Sequence, residues 1–199
     1  MLKLCIKRLP LIIVLLSCEK PITDSSKKPS LSFTDVTENA GLGGFKHASG
    51  AIGDKWFPES MGSGCGFIDY NSDGWVDILL VGGGSWPSKS APPYPSLFLY
   101  ENNKDGTFKN VTSEAGLGEI YTYGFGVCIA DYDNDDDDDF FFTTIWSNYL
   151  FRNDNGVFIN VSNDSGLGKD SLWSTTSIFF DANKDGYLDL FVGSYVDWS

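Results

Sequence analysis

Three nine-residue stretches concentrate the groups best suited to chemistry: Asp69-Tyr70-Asn71-Ser72-Asp73-Gly74-Trp75-Val76-Asp77, then Asp131 to Asp139, then Asp181 to Asp189. Each offers side-chain oxygens at positions 1, 3, 5 and 9, and position 7 can turn a backbone carbonyl inward. An all-oxygen set of this kind suits a hard cation, and calcium is the natural occupant. The first set is Asp69, Asn71, Asp73, the carbonyl of Trp75 and Asp77. The second is Asp131, Asp133, Asp135, the carbonyl of Asp137 and Asp139. The third is Asp181, Asn183, Asp185, the carbonyl of Tyr187 and Asp189. Gly74 and Gly186 stand at position 6, where the chain must bend sharply and glycine tolerates positive φ. The middle copy has Asp136 there. Aspartate enters the left-handed region more readily than most residues, so this site is expected to be strained and weaker. A helix–loop–helix calcium site is excluded, because its twelfth position requires glutamate and here holds Leu80, Phe142 or Val192.

The neighbours of the loops indicate what positions them. Gly66-Phe67-Ile68 leads into the first and Ile78-Leu79-Leu80-Val81 follows it, while Ser177 to Phe180 and Leu188 to Val192 flank the third. Short runs rich in Ile, Val and Phe, bounded by Gly and Asp, read as strands. The whole chain of 199 residues has a formal charge of −13, 22 glycines and 15% aromatics, which indicates an acidic, β-rich protein and argues against a nucleic-acid partner. Thirteen of the 27 acidic residues lie in the three loops, so much of that charge is assigned to metal. Without cations these carboxylates repel one another.

Two further words repeat. F-x-x-V-[T/S]-x-x-x-G-L occurs at Phe33 to Leu42, Phe108 to Leu117 and Phe158 to Leu167; Leu97-Phe98-Leu99-Tyr100-Glu101-Asn102 is matched by Asn148 to Asn153. Asp105-Gly106 and Asn155-Gly156 then mark hairpin turns. One unit reads strand, acidic loop, strand, connection, strand, tight turn, strand. Four antiparallel strands in about 50 residues is the signature of a β-propeller blade. The fold class is all-β, with about two and a half blades in this chain.

The first unit is longer than the others. Leu42 to Asp69 spans 27 positions against 14 in the later copies, and Asp77 to Phe108 spans 31 against 19. In an up-and-down blade both insertions fall on the face opposite the acidic loops, and they carry His47, Trp56, Phe57, Trp86 and Tyr94 there. These residues form a possible ligand face. The alternative is that the aromatics pack the long loops against the blade.

Residues 1–18 read as a secretory signal: Lys3, Lys7 and Arg8 form a basic start and Leu9 to Leu16 a short apolar core, too brief to span a bilayer. Leu15-Leu16-Ser17-Cys18 resembles the bacterial lipobox, which implies lipidation of Cys18 and a lipid-anchored place in the cell envelope, on the outer membrane or cell surface. If Cys18 is not lipidated the protein is secreted. Residues 19–32 read as a flexible tether and 33–199 as the partial propeller. His47 is the single histidine, so histidine-based catalysis would rest on it alone, and no catalytic residue is assigned. Gly82-Gly83-Gly84 lacks the Lys and Ser/Thr of a phosphate loop and reads as a bend after a strand. A disulfide between Cys65 and Cys128 is disfavoured, since alternation directs them to opposite sheet faces.

Trp56-Phe57-Pro58-Glu59-Ser60-Met61-Gly62-Ser63-Gly64 before the Asp69 loop, and Leu99-Tyr100-Glu101-Asn102-Asn103 before Asp105-Gly106-Thr107-Phe108, resemble the FG-GAP/VCBS repeat proteins. Within them the chain is most similar to the cartilage acidic protein and ASPIC/UnbV group, where a stretch like Phe45-Lys46-His47 also occurs. The resemblance implies an integrin-α-like propeller, commonly seven-bladed, so that this chain is expected to be a fragment. It also implies calcium between the first two strands of some blades, and an extracellular or envelope location. It specifies no activity. The expected function is a calcium-stabilised envelope module that binds a glycan or extracellular protein and meets the membrane only through its lipid. The alternatives are a polysaccharide-acting envelope enzyme with the propeller as scaffold, or a purely structural accessory module.

Overall fold

The computed structural model describes residues 31–50, 54–84, 94–167 and 172–197. The chain divides between Asp35 and Val36 into two units. In the first, the described residues 31–35 form no strand, and Leu31 and Phe33 are exposed.

The described residues of the second unit are all-β apart from a one-turn 3-10 helix at Phe57–Ser60, begun by Pro58. β1 (Cys65–Ile68), β2 (Asp77–Val81), β3 (Leu97–Asn102) and β4 (Phe108–Asn110) form a four-stranded antiparallel sheet in sequential order. β5 (Gly124–Ala130), β6 (Asp139–Thr144), β7 (Tyr149–Asn153) and β8 (Phe158–Asn160) repeat it, and β9 (Leu172–Phe180) pairs with β10 (Asp189–Asp197). In all three the acidic stretch is the first hairpin turn: Ile68 pairs with Asp77, Ala130 with Asp139 and Phe180 with Asp189. These are the blades of a partial β-propeller, as the spacing of the repeated words predicts.

The sheets pack face to face. β6 is buried along its whole length. Its Phe140 and Phe142 join Ile68, Leu79, Leu99 and Leu117 in the main core, while Phe141 lines a small cavity with Leu172 and Val192 of the third sheet. Each such side chain contributes about 1.5–3 kcal/mol on burial. The innermost strands approach closely: the Gly64 N–H donates to the Phe125 carbonyl (2.5 Å), and a Cβ on Gly64 would stand 3.2 Å from the backbone of Gly126.

The F-x-x-V-[T/S] words fold alike. In each, a single turn is closed by the bonds Ala40 to Val36, Ala115 to Val111 and Ser165 to Val161, and ends on a left-handed glycine, Gly41, Gly116 or Gly166. The Thr112 and Ser162 hydroxyls accept the Leu99 and Leu150 N–H groups, and Asn110 and Asn160 accept the Thr112 and Ser162 N–H groups. The turn of one word then covers the outer strand of the following blade: the Ala40 carbonyl accepts the Phe108 N–H (2.8 Å) and the Ala115 carbonyl that of Phe158 (3.0 Å). One expectation fails. Phe33 to Asp35, the outer-strand part of the first word, is not a strand, because it has no third strand to pair with among the described residues, whereas β4 and β8 lie on β3 and β7.

The two insertions of the first blade meet. Ala48 bridges Gly83, its N–H donating to Gly82 and its carbonyl accepting from Gly84, and the Tyr94 hydroxyl donates to the Lys46 carbonyl. Gly83 takes a left-handed φ of 80° in this bend. Cys65 and Cys128 are free thiols, and burial pushes that of Cys128 upward.

Candidate metal centre

The three acidic loops share one hydrogen-bond scheme. The position-1 carboxylate accepts the backbone amides of positions 5 and 6, those of Asp73 (3.0 Å) and Gly74 (2.8 Å) on Asp69, of Asp135 (3.1 Å) and Asp136 (3.0 Å) on Asp131, and of Asp185 (3.2 Å) and Gly186 (3.0 Å) on Asp181, which also accepts the Lys184 amide (2.6 Å). The position-5 carboxylate accepts the position-7 amide: Trp75 on Asp73, Asp137 on Asp135 and Tyr187 on Asp185. A carboxylate has about four lone-pair sites, so these bonds fix its orientation and leave capacity for a cation. Such turns need left-handed residues twice. Position 4 supplies Ser72, Asn134 and Lys184, and position 6 Gly74, Asp136 and Gly186, with Asp136 at φ 71°. Asp136→Gly is therefore expected to stabilise the protein by up to about 1 kcal/mol, read as a higher Tm in calcium. A lower Tm would show that the aspartate contributes more than its conformation costs.

Position 9 is the buried end of the set. Asp77 and Asp139, the first residues of β2 and β6, are 1% and 0% exposed. One oxygen of each closes its own loop by accepting the Tyr70 (3.3 Å) or Tyr132 (3.1 Å) N–H; the other accepts the Asn102 or Asn153 N–H (2.7 Å each), from the end of the third strand. In the third loop Asp189 accepts the Ala182 N–H in the same way.

This burial carries an electrostatic cost. Desolvation pushes the Asp77 carboxyl up to about 6 and that of Asp139 up to about 7, with neighbouring aspartates adding to the rise. Desolvation and then Asp135 and Asp131 also raise Asp133. Ligand oxygens of Asp131, Asp133 and Asp139 all lie within 4.8 Å of one another. Oxygens on opposite sides of one calcium ion stand about 4.8 Å apart, so the cluster has the span and donor type for that ion. A divalent charge would reverse the repulsion that raises these groups. In the first loop the Lys104 ammonium stands 3.0 Å from Asp73 Oδ2 and holds that carboxyl below its usual range. It is a monovalent competitor for the same oxygen.

Of the predicted ligand-face residues, Tyr94 bonds the Lys46 carbonyl next to His47, and Trp56 precedes Phe57 at the 3-10 turn. His47 Nε2 lies 3.0 Å from Ser63 Oγ, and Tyr94 packs near Phe98 (5.8 Å between rings). Trp56 and Phe57 are 47% and 52% exposed, and Phe57 stacks on Tyr195 of β10 and sits 5.8 Å from Trp173. Trp86 and Cys18 lie outside the described residues. No helix among the described residues is long and apolar enough to cross a membrane.

Sequence reasoning missed two roles. Asn102 and Asn153 end the repeated third word, yet nothing in their spacing couples them to the position-9 aspartates. From the sequence Asp137 offers its carbonyl and Asp138 has no assigned role, but their side chains reach the first loop: Asp138 Oδ2 accepts the Asp69 N–H (3.0 Å) and Asp137 Oδ1 the Ser72 hydroxyl (2.8 Å).

Comparison with known proteins agrees with this architecture. The sequence matches the FG-GAP-like repeat over residues 69–142 and again over 131–192, each match opening on an acidic loop. A stretch of 38 residues is 42% identical to cartilage acidic protein 1 of Xenopus tropicalis, covering 19% of this chain and 6% of that protein. With two acidic hairpin turns opening two tandem matches on antiparallel sheets, the chain belongs to the FG-GAP-like repeat family.

Proposed function

We propose that this chain is part of a calcium-binding β-propeller lipoprotein of the bacterial cell envelope, in which the propeller serves as a binding or adhesion module for a glycan or an extracellular protein. FG-GAP-like repeats support a propeller-type binding or structural module. The observation that carries the calcium reading is the thrice-repeated loop in which backbone amides hold the carboxylates of positions 1 and 5, with the carboxylates of positions 1, 3 and 9 converging within 4.8 Å in the second copy. Calcium would be held by the residues assigned above. It supplies charge neutralisation at hairpin turns whose carboxylates otherwise repel.

The test is thermal unfolding of the full-length protein in chelator and in calcium. An ion that binds the native state alone adds about 2.7 kcal/mol at a free concentration of 100 Kd, so a Tm higher in calcium by several degrees is expected. Identical unfolding in the two buffers would contradict the assignment. The anchor is tested separately: Cys18→Ser is expected to move the protein from the membrane to the soluble fraction, and unchanged partitioning would count against lipidation. A panel of surface polysaccharides, scored for both retention and turnover, distinguishes a binding module from an enzyme.

A further inference from the structure

We propose that the first and second cation loops bind as a coupled pair, and that Asp138 is the positioning residue that joins them. The proposal rests on the calcium reading above. Position 8 is Val76 in the first loop and Leu188 in the third, so only the second carries a carboxylate there.

The connections run from ligand to ligand. Asp138 Oδ2 accepts the N–H of Asp69, the residue whose carboxylate gathers the Asp73 and Gly74 amides into the first loop. Asp137 Oδ1 accepts the hydroxyl of Ser72, the left-handed residue at position 4 of that loop, and its Oδ2 accepts the Asn155 N–H (3.1 Å). Asn153 completes the path. Its Nδ2 donates to the carbonyls of Tyr70 (2.8 Å) and Asp138 (3.1 Å), while its N–H donates to Asp139 Oδ1 (2.7 Å), a ligand oxygen of the second loop.

A cation seated on Asp137 and Asp139 fixes the segment that includes Asp138 and the bond to Asn153. Those groups in turn fix Asp69, Tyr70 and Ser72. Ordering the second loop therefore lowers the conformational cost of ordering the first, and reciprocity requires the same factor in the other direction. Positions 7 and 8 of the third loop are Tyr187 and Leu188, so that loop lacks the two carboxylates that join the first pair.

The experiment uses the full-length protein, with terbium luminescence sensitised by Trp75 at position 7 reporting the first loop and equilibrium dialysis counting calcium. Asp133→Ala disables the second loop at an exposed side chain. It is expected to remove one equivalent of uptake and to shift the Trp75-reported midpoint to about fivefold higher terbium or more. Asp185→Ala is expected to remove one equivalent while moving that midpoint less than about twofold, well below the usual range of coupling between sites. Asp138→Val, which installs the side chain found in the first loop, should reproduce the shift with uptake at full stoichiometry. Asp138→Asn retains an acceptor oxygen and should restore the parent midpoint. An unmoved midpoint in Asp133→Ala overturns the coupling. An equal shift of the Tyr187-sensitised signal of the third loop in Asp138→Val, or equal shifts in the two Asp138 variants, overturns the role of Asp138. Absence of saturable calcium uptake by the parent would instead remove the calcium reading itself.

Discussion

Replacing Asp139 by alanine is expected to destabilise the protein by about 3 kcal/mol or more even in chelator, because one buried and one part-buried amide lose their acceptor at about 1–3 kcal/mol each. The amides are those of Tyr132 and Asn153, and the carboxylate that receives them is fully buried. The effect does not require metal, since these bonds link the second loop to the third strand of its own blade. Asp133→Ala provides the contrast. That side chain is exposed and is proposed only to coordinate, so its loss should leave stability in chelator within about 0.5 kcal/mol of the parent and reduce the gain on adding calcium. Urea unfolding of the parent and both variants, each in chelator and in calcium, makes the comparison. If Asp139→Ala matched the parent in chelator, the aspartate would be a ligand and nothing more.

The second large effect is on pH. Burial raises the Asp77 and Asp139 carboxyls to about 6 and about 7, whereas in an unfolded chain both titrate near the usual value of about 3.9. Between those limits the folded protein holds protons that the unfolded chain has released. Without calcium, the stability contributed by these two groups is therefore fully present below about pH 4 and is lost as the pH rises through 6 and 7. Calcium requires the ionised form, so its uptake displaces the same protons. Its apparent affinity should rise about tenfold per pH unit for each proton displaced. The separation between the calcium and chelator melting curves is accordingly expected to widen from pH 5 to pH 8. Asp73 does not contribute in this window, because Lys104 holds its carboxyl low. A separation that stays constant across the range would mean that neither buried carboxyl changes protonation on binding.

The blades were legible because their determinants are local. Alternating apolar runs, Asn-Gly and Asp-Gly turns and acidic stretches at fixed offsets place the hairpins of each sheet, although β9 and β10 run about five residues beyond the Ser177–Phe180 and Leu188–Val192 runs, and the positive φ expected at position 6 is present even where Asp136 replaces glycine. What escaped the sequence depends on partners that only folding brings together. The position-9 aspartates bond to Asn102 and Asn153 on strands that hairpin geometry alone does not assign to them. From the sequence Asp137 offers only its carbonyl and Asp138 nothing, but both side chains are turned to the neighbouring blade. Phe33 to Asp35 match the outer-strand word, but among the described residues no third strand lies beside them.

The lid that each turn places on the next outer strand has a practical consequence for anyone who cuts the protein into pieces. Since the Ala40 and Ala115 carbonyls hold Phe108 and Phe158, the physical module begins at Val36 or Val111, well upstream of the innermost strands at Cys65 and Gly124. An excised blade started at the inner strand would leave a bare sheet margin free to recruit foreign chains, whereas one that retains its leading turn carries its own edge guard.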